Sequence, residues 1–299
     1  MRGGPASYLR IMSTPLHALR RALAPVLPER LRGDRPVVPV VRLQGAIGVG
    51  GPLRPALTLA GCAPQLERAF GTPGAREVAI IVNSPGGSPV QAHLIHRRIR
   101  QLAAEKELGV TVFVEDAAAS GGYMIACAGD EIVADPSSIV GSIGVVSAGF
   151  GFDRAIERLG VDRRLHASGA NKAILDPFSP EKPEDVERLK DIQREVHEHF
   201  IALVKERRGA ALDDADGELF SGAFWTASTG LGLGLVDRIG DLRATLKERW
   251  GEKVDIRLIA SRQPLLRRLS GRGDGVGAEL AGEALAALES RALWSRLGL

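Results

Sequence analysis

GVTVFVEDAAASGGYMIACA, residues 109–128, is the stretch on which the reading of this chain turns. Residues 110–114 form a short β-branched and aromatic run, the pattern of a buried strand. Residues 123–128 are apolar and small, and predict a helix packed inside the fold. Between them, Ala117-Ala118-Ala119-Ser120-Gly121-Gly122 reads as a turn. The alanines let backbones pack closely, and the paired glycines permit a sharp bend and the near approach of another segment. Ser120 then stands at a helix N-terminus, where free N–H groups and the helix dipole favour a developing oxyanion. A serine in this place also serves as an ordinary N-cap or turn residue, and the stretch alone leaves both roles open.

Working outward, strands alternate with helices along the chain. Residues 37–43 and 77–82 predict two strands, and residues 55–70 a helix. The second strand runs into Asn83-Ser84-Pro85-Gly86-Gly87-Ser88. Two glycines after a proline can expose consecutive backbone N–H groups as a small anion-binding nest. The same residues also make a plain strand-to-helix turn with Ser88 as N-cap. Residues 89–106 follow as an amphipathic helix carrying His93 and His96, read as surface histidines because no third metal ligand of suitable spacing lies nearby. Further strands are predicted at 131–134, 139–146, 162–167 and 254–259, and helices at 152–159, 184–208 and 241–250. His197 and His199 lie two apart on the long helix, and are read as part of a solvated face. The alternation argues an α/β architecture with parallel pairing.

Composition excludes several classes. The chain has 299 residues, of which 44% are hydrophobic and 25% charged, enough for one sizeable core. Residues 1–35 hold seven arginines against Glu29 and Asp34, a balance of +5, and residues from Arg262 onward add +2. Set against a whole-chain charge of +3, these leave the middle at −4, so the basic character belongs to the ends and no nucleic-acid-binding face is expected on the core. Cys62 and Cys127 sit among apolar residues and read as buried thiols, with neither a disulfide framework nor a metal spacing. No stretch approaches the roughly 18 consecutive apolar residues of a transmembrane helix, and Pro15, His17, Arg20 and Arg21 interrupt any leader-like apolar run. Residues 1–36 are therefore expected to be a basic segment that is disordered or lies on anionic membrane through Leu16, Leu19, Leu23 and Leu27. Residues 37–260 are expected to be the folded domain, and residues 261–299 a glycine-rich linker with an amphipathic tail. The expected compartment is the cytoplasm, with peripheral contact at the inner membrane as its variant.

Lys172 is the second informative residue. Only seven of the 39 basic residues are lysines, and this one sits among Ser, Gly, Ala and Ile with no acid closer than Asp176. An amine held away from water gives up its proton more readily, and a neutral lysine can take the proton of a serine hydroxyl. A surface loop lysine is the plainer alternative. His166, in a predicted strand, is the only histidine between residues 97 and 196, and competes for the role of base.

Four motifs in order now carry a resemblance. NSPGG at 83–87, DAAASGGYMIA at 116–126, GSIGV at 141–145 and the lysine of GANKAILDPF at 169–178 resemble the signal peptide peptidase family of serine–lysine peptidases. The 52 residues from Ser120 to Lys172 are similar to that family's separation in its single-domain bacterial members, and GLGLGLVDRIG at 230–240 is similar to its closing segment. The resemblance covers roughly residues 37–250. It implies a crotonase-like fold, shared with caseinolytic protease, of repeated β-β-α units with flanking helices. It further implies Ser120 as nucleophile, Lys172 as general base and Ser142 as the hydroxyl that orients the lysine. The oxyanion hole would come from the N–H of Gly121 with that of Gly86 or Gly87. No cofactor and no metal are implied. The implied substrates are unfolded or membrane-released, signal-peptide-like peptides, and a single motif set implies completion of the site by homo-oligomeric assembly. Two alternatives share the fold: an acyl-CoA-handling crotonase-type enzyme, whose paired carboxylates the 83–87 nest lacks, and an inactive assembly scaffold, which leaves Ser120 and Lys172 unexplained.

Overall fold

The computed structural model describes residues 35–50, 56–169, 171–260, Leu288 and residues 291–299. The basic segment expected at 1–36 lies outside the described residues except for its last two, as do the linker at 271–277 and most of the tail helix. Three strands make the centre: β1 (Val37–Gln44), β2 (Glu77–Ser84) and β3 (Gly109–Ala119), paired in parallel in the order β1-β2-β3. Their near-continuous apolar runs follow from burial on both faces, the usual state of parallel strands. The sheet forks at β3. Its early residues, 111–114, pair with β4 (Glu131–Ala134), and its last three pair with β5 (Ile139–Gly141). One arm ends in the two-residue strand β7 (Arg238–Ile239), the other in β6 (Phe224–Thr226), which pairs antiparallel with β5; β8 (Asp255–Leu258) completes the far edge beside β1.

Helices α1 (Leu59–Phe70), α2 (Pro89–Lys106) and α3 (Gly121–Ala126) cover one face. Leu66, Ile95, Ile99 and Ile125 there join Leu43, Ile80 and Val112 of the sheet in the main core. Chain order continues through the short α4 (Asp153–Arg158), the long α5 (Pro183–Arg208), α6 (Ala227–Gly232) and α7 (Leu242–Trp250). Phe200, Leu203 and Val204 of α5 extend the main core. The opposite face is covered by α7, whose Leu246 packs with Val38, Val40, Ala79 and Phe113. This is the expected α/β, crotonase-like architecture. Local sequence explains its joints: the Ser88 hydroxyl accepts from Gln91 N at 3.4 Å with Pro89 opening α2, and the Asp241 carboxylate caps α7 from Arg243 N and Ala244 N at 2.8 and 2.9 Å.

The closing segment is tied to the core by buried polar contacts. Tyr123 Oη donates to Leu235 O at 2.8 Å, and the Arg208 guanidinium grips both carboxylate oxygens of Asp237 at 2.8 Å. Both cysteines are buried as expected, and burial pushes each thiol up to about 12.

Three expectations are corrected. The strand read at 139–146 ends at Gly141, because Ser142 takes a left-handed φ of 53° and turns the chain. Residues 162–167 form no strand; they are exposed and join no strand of the sheet among the described residues. Residues 117–119, read as turn, extend β3 because β5 supplies a ladder for them. Residues 224–226 form β6, too short to show a period in sequence.

Candidate active site

β3 ends at Ala119 and α3 begins at Gly121, so Ser120 alone makes the turn. Its φ of 51° and ψ of −122° are unfavourable for any L-residue, at a cost on the order of 1–3 kcal/mol. The strain is held from both sides: Ser120 N donates to Gly141 O at 2.8 Å, and its carbonyl accepts from Met124 N at 3.0 Å. The side chain makes no capping bond. A strand–turn–helix elbow of this kind presents the hydroxyl at the end of the sheet rather than spending it on the helix.

The glycines of 83–87 face this elbow. Gly87 has a φ of 135°, and a Cβ there would lie 2.1 Å from Ile47 O; one on Gly86 would lie 2.8 Å from Ser120 Cβ. Side chains are thus excluded by contact as well as by backbone angle. Gly86 N–H donates to Ser84 Oγ at 3.2 Å, whereas Gly87 N–H meets no acceptor among the described residues. Gly121 N–H is the first orphan donor of α3, and a Cβ on Gly121 would be only 3.6 Å from Gly87 N, so the two free donors are neighbours. Asn83 braces the loop, donating to Asp116 Oδ2 at 2.7 Å and accepting from Ala117 N at 3.3 Å, across the register shift between β2 and β3.

A cleft of about 630 Å³ opens here, lined by Ser120, Gly87, Gly121 and Ser142, with Met124 and Phe200 among its apolar walls. Ser142, held in its left-handed turn by Ser142 N to Ala223 O at 2.7 Å, thus shares a cavity with Ser120. Leu293 and Leu297, near the chain's last residue, form another wall, Leu297 packing on Ala117 and Ala119. His197 lines the cleft too, half-buried, its Nε2 2.9 Å from Ile143 O. Sequence reasoning placed it on a solvated face; the signal available was its position one turn before Phe200, the first apolar anchor of α5.

Lys172 is not brought to this cleft in the single chain. It lies exposed in the turn at 171–175, and it is not among the lining residues. Its segment is pinned by the Arg163–Asp176 ion pair at 3.2 Å and by Ser179 Oγ donating to Asp176 at 2.9 Å. The same segment exposes Phe150 (81%), Leu159 (76%), Phe152, Val161, Leu165 and Phe178. His166 is exposed there as well. Elsewhere, His93 is exposed as read, but His96 is not a surface histidine: it is 8% exposed, because α2 turns it toward the α5 side of the core. Among the described residues, no group of three or more His, Cys, Asp or Glu is placed to hold a metal, and no helix is long and apolar enough to cross a membrane.

Comparison with known proteins agrees with this geometry. Residues 102–255, which include Ser120, Ser142 and Lys172, match Peptidase family S49. The chain is 52% identical to a Brucella abortus protein named Na(+)/H(+) antiporter NhaA over 98% of this chain, and it spans only 41% of that protein's length. It is 33% identical to a Synechocystis protein named as a protease, slr0021, over 64% of this chain and 70% of that one. It is 30% identical to the chloroplastic serine protease SPPA of Arabidopsis thaliana, over 71% of this chain and 32% of that protein. The elbow, the glycine nest and these matches converge: the chain belongs to peptidase family S49, a family of serine peptidases.

Proposed function

We propose that this chain is a serine endopeptidase in which Ser120 and Lys172 hydrolyse peptide bonds of unfolded or membrane-released, signal-peptide-like segments. The observation that carries the reading is the Ser120 hydroxyl, uncommitted at a strained elbow beside the free N–H groups of Gly87 and Gly121. Ser120 Oγ attacks the scissile carbonyl carbon and the carbonyl π electrons move onto its oxygen. That oxyanion is received by the two N–H groups, of which removal of one such donor costs about 10²–10³ in rate. The Lys172 amine takes the hydroxyl proton and passes it to the leaving amine as the C–N bond breaks, leaving an acyl-enzyme. Water, deprotonated by the same amine, then attacks the ester and restores Ser120. Ser142, on the shared cleft, holds the amine in line.

Lys172 reaches Ser120 in the assembled enzyme. Its segment carries the exposed apolar side chains of residues 150–178, a surface suited to burial against another copy, and assembly seats the lysine in a cleft of its own or a neighbouring chain. A second reading gives the base role to His197, because it lines the cleft that Lys172 does not. The antiporter name of the Brucella protein is not carried over, because this chain spans only 41% of that protein's length. The membrane contact proposed for the basic segment rests on residues 1–34, which are outside the described residues.

The test is labelling with a fluorophosphonate probe together with peptide cleavage. Labelling of the wild-type protein and none of Ser120→Ala, with cleavage lost in Lys172→Ala and retained in His166→Ala, is the expected result. Labelling that survives Ser120→Ala defeats the peptidase reading, and cleavage that survives Lys172→Ala but not His197→Ala transfers the base role to histidine.

A further inference from the structure

α5 is anchored to the core only through its C-terminal half: Phe200, Leu203, Val204 and Arg208 are buried, and the helix before them is largely exposed. His197 is the residue on the open side of that boundary, and it makes a contact the apolar anchors cannot. Its Nε2 lies 2.9 Å from the carbonyl oxygen of Ile143, 54 residues away in sequence. A carbonyl oxygen only accepts, so Nε2 carries the proton and donates in the neutral as well as the charged ring. Ile143 is fully buried, and no other donor to its carbonyl is present among the described residues. Left alone, that acceptor would be a buried unsatisfied group.

Ile143 sits in the middle of the tightest part of the Ser142 turn. Ser142 has a φ of 53°, its N–H is spent on Ala223 O, and its carbonyl accepts from Gly144 N at 3.0 Å across Ile143. A non-glycine residue in this conformation persists only where its surroundings over-determine it. Ala223, just before β6, holds the turn from one side, and His197 holds it from the other.

We infer that His197 is a positioning residue of the Ser120 site, clamping the Ser142–Ile143 turn through Nε2 so that the Ser142 hydroxyl is fixed in the cleft. The inference rests on the peptidase reading for its kinetic consequence, and on the hydrogen bond for its structural one. The clamp also registers α5 against the turn. Because α5 begins at Pro183, eleven residues after Lys172, the same bond fixes where the lysine segment leaves the helix.

The test uses the full chain and three substitutions. Glutamine at 197 can place an amide N–H where Nε2 stands; leucine keeps comparable bulk with no donor. His197→Leu is expected to lower kcat about 10–100-fold, the scale for loss of a supporting partner, with KM little changed, and His197→Gln to recover most of that loss. Ser142→Ala should fall in the same range, and Ser142→Ala/His197→Leu should be no worse than Ser142→Ala alone, since the two act through one element. Additive losses, or a glutamine variant no better than leucine, overturn the inference. A glutamine variant as dead as Ser120→Ala overturns it as well, by making His197 the base. The imidazole ¹⁵N shifts of His197 give a readout that needs no turnover: at neutral pH they should show the Nε2–H tautomer, and the Nδ1–H tautomer refutes the clamp. Wild-type protein that cleaves no peptide while showing the Nε2–H tautomer fails the peptidase reading and leaves the clamp in place.

Discussion

Acidification should destabilise this protein through His96. The side chain is buried between α2 and α5, and neither ring nitrogen has a hydrogen-bond partner; the Cys127 carbonyl lies close without bonding geometry. Burial, then the positive charges of Arg207, His93 and Arg100, pushes the imidazole down from 6.5 to about 4, with the Cys127 carbonyl opposing. The unfolded chain, whose imidazole titrates normally, therefore binds more protons than the folded one between those two values. Stability must rise with pH across that window, be fully present above about 6.5, and be lost as pH falls toward about 4. The gap corresponds to about 3 kcal/mol, a large fraction of the 5–15 kcal/mol typical of a domain. Urea unfolding followed by fluorescence of Trp225 and Trp250 at pH 7, 5.5 and 4 measures it. His96→Leu removes the titrating group, so its stability should decline less than that of wild type between pH 7 and 4, by about 3 kcal/mol. Declines that agree within about 0.5 kcal/mol would refute the assignment, since that is the usual scatter of independent effects.

Ser120→Ala and Lys172→Ala should each lower kcat/KM on the order of 10⁴-fold or more, because nucleophile and base act as a unit; a folded variant within tenfold of wild type removes that residue from the dyad. Gly87→Ala should cost activity and fold together, as its Cβ would meet Ile47 O at 2.1 Å, and a stable, active variant would show that the loop has room for a side chain there. Tyr123→Phe leaves the Leu235 carbonyl without its donor, and should lower unfolding free energy by about 1–3 kcal/mol in denaturant titration; an unchanged midpoint would count against that bond as an anchor of the closing segment.

The parts of the molecule legible in sequence are those whose cause is local. The span 89–106 of α2 is legible because Ser88 caps it, Pro89 opens it and the apolar period runs unbroken. The sharp turn at Ser120 and the tight glycine loop at 83–87 are legible because glycines beside a serine answer to steric needs of the turn itself. The extension of β3 through Ala117–Ala119 was not, since alanine favours no strand and only the ladder with β5 makes one. His197 escaped for a related reason. Helical spacing assigns it a face, but the acceptor that gives the face its meaning belongs to residue 143, brought there by the fork in the sheet.

The displacement of Lys172 from the cleft has the same logic at a larger scale. A lysine that is to serve as base must lose water, and a single chain of this design does not supply the cover: residues 171 and 172 are exposed, and α4 buries no residue at all. The segment nonetheless keeps a defined shape through Arg163, Asp176 and Ser179, and through Phe152 stacked on Phe178 at 5.6 Å. Order without burial is what the proposed assembly asks of this segment, because little entropy would remain to be lost on docking. On the proposed mechanism the nucleophile, the oxyanion donors and Ser142 are set by the fold of one chain, and the base alone is set by assembly. Activity would then appear only with the assembled form, and an isolated chain would hold its strained serine without the means to use it.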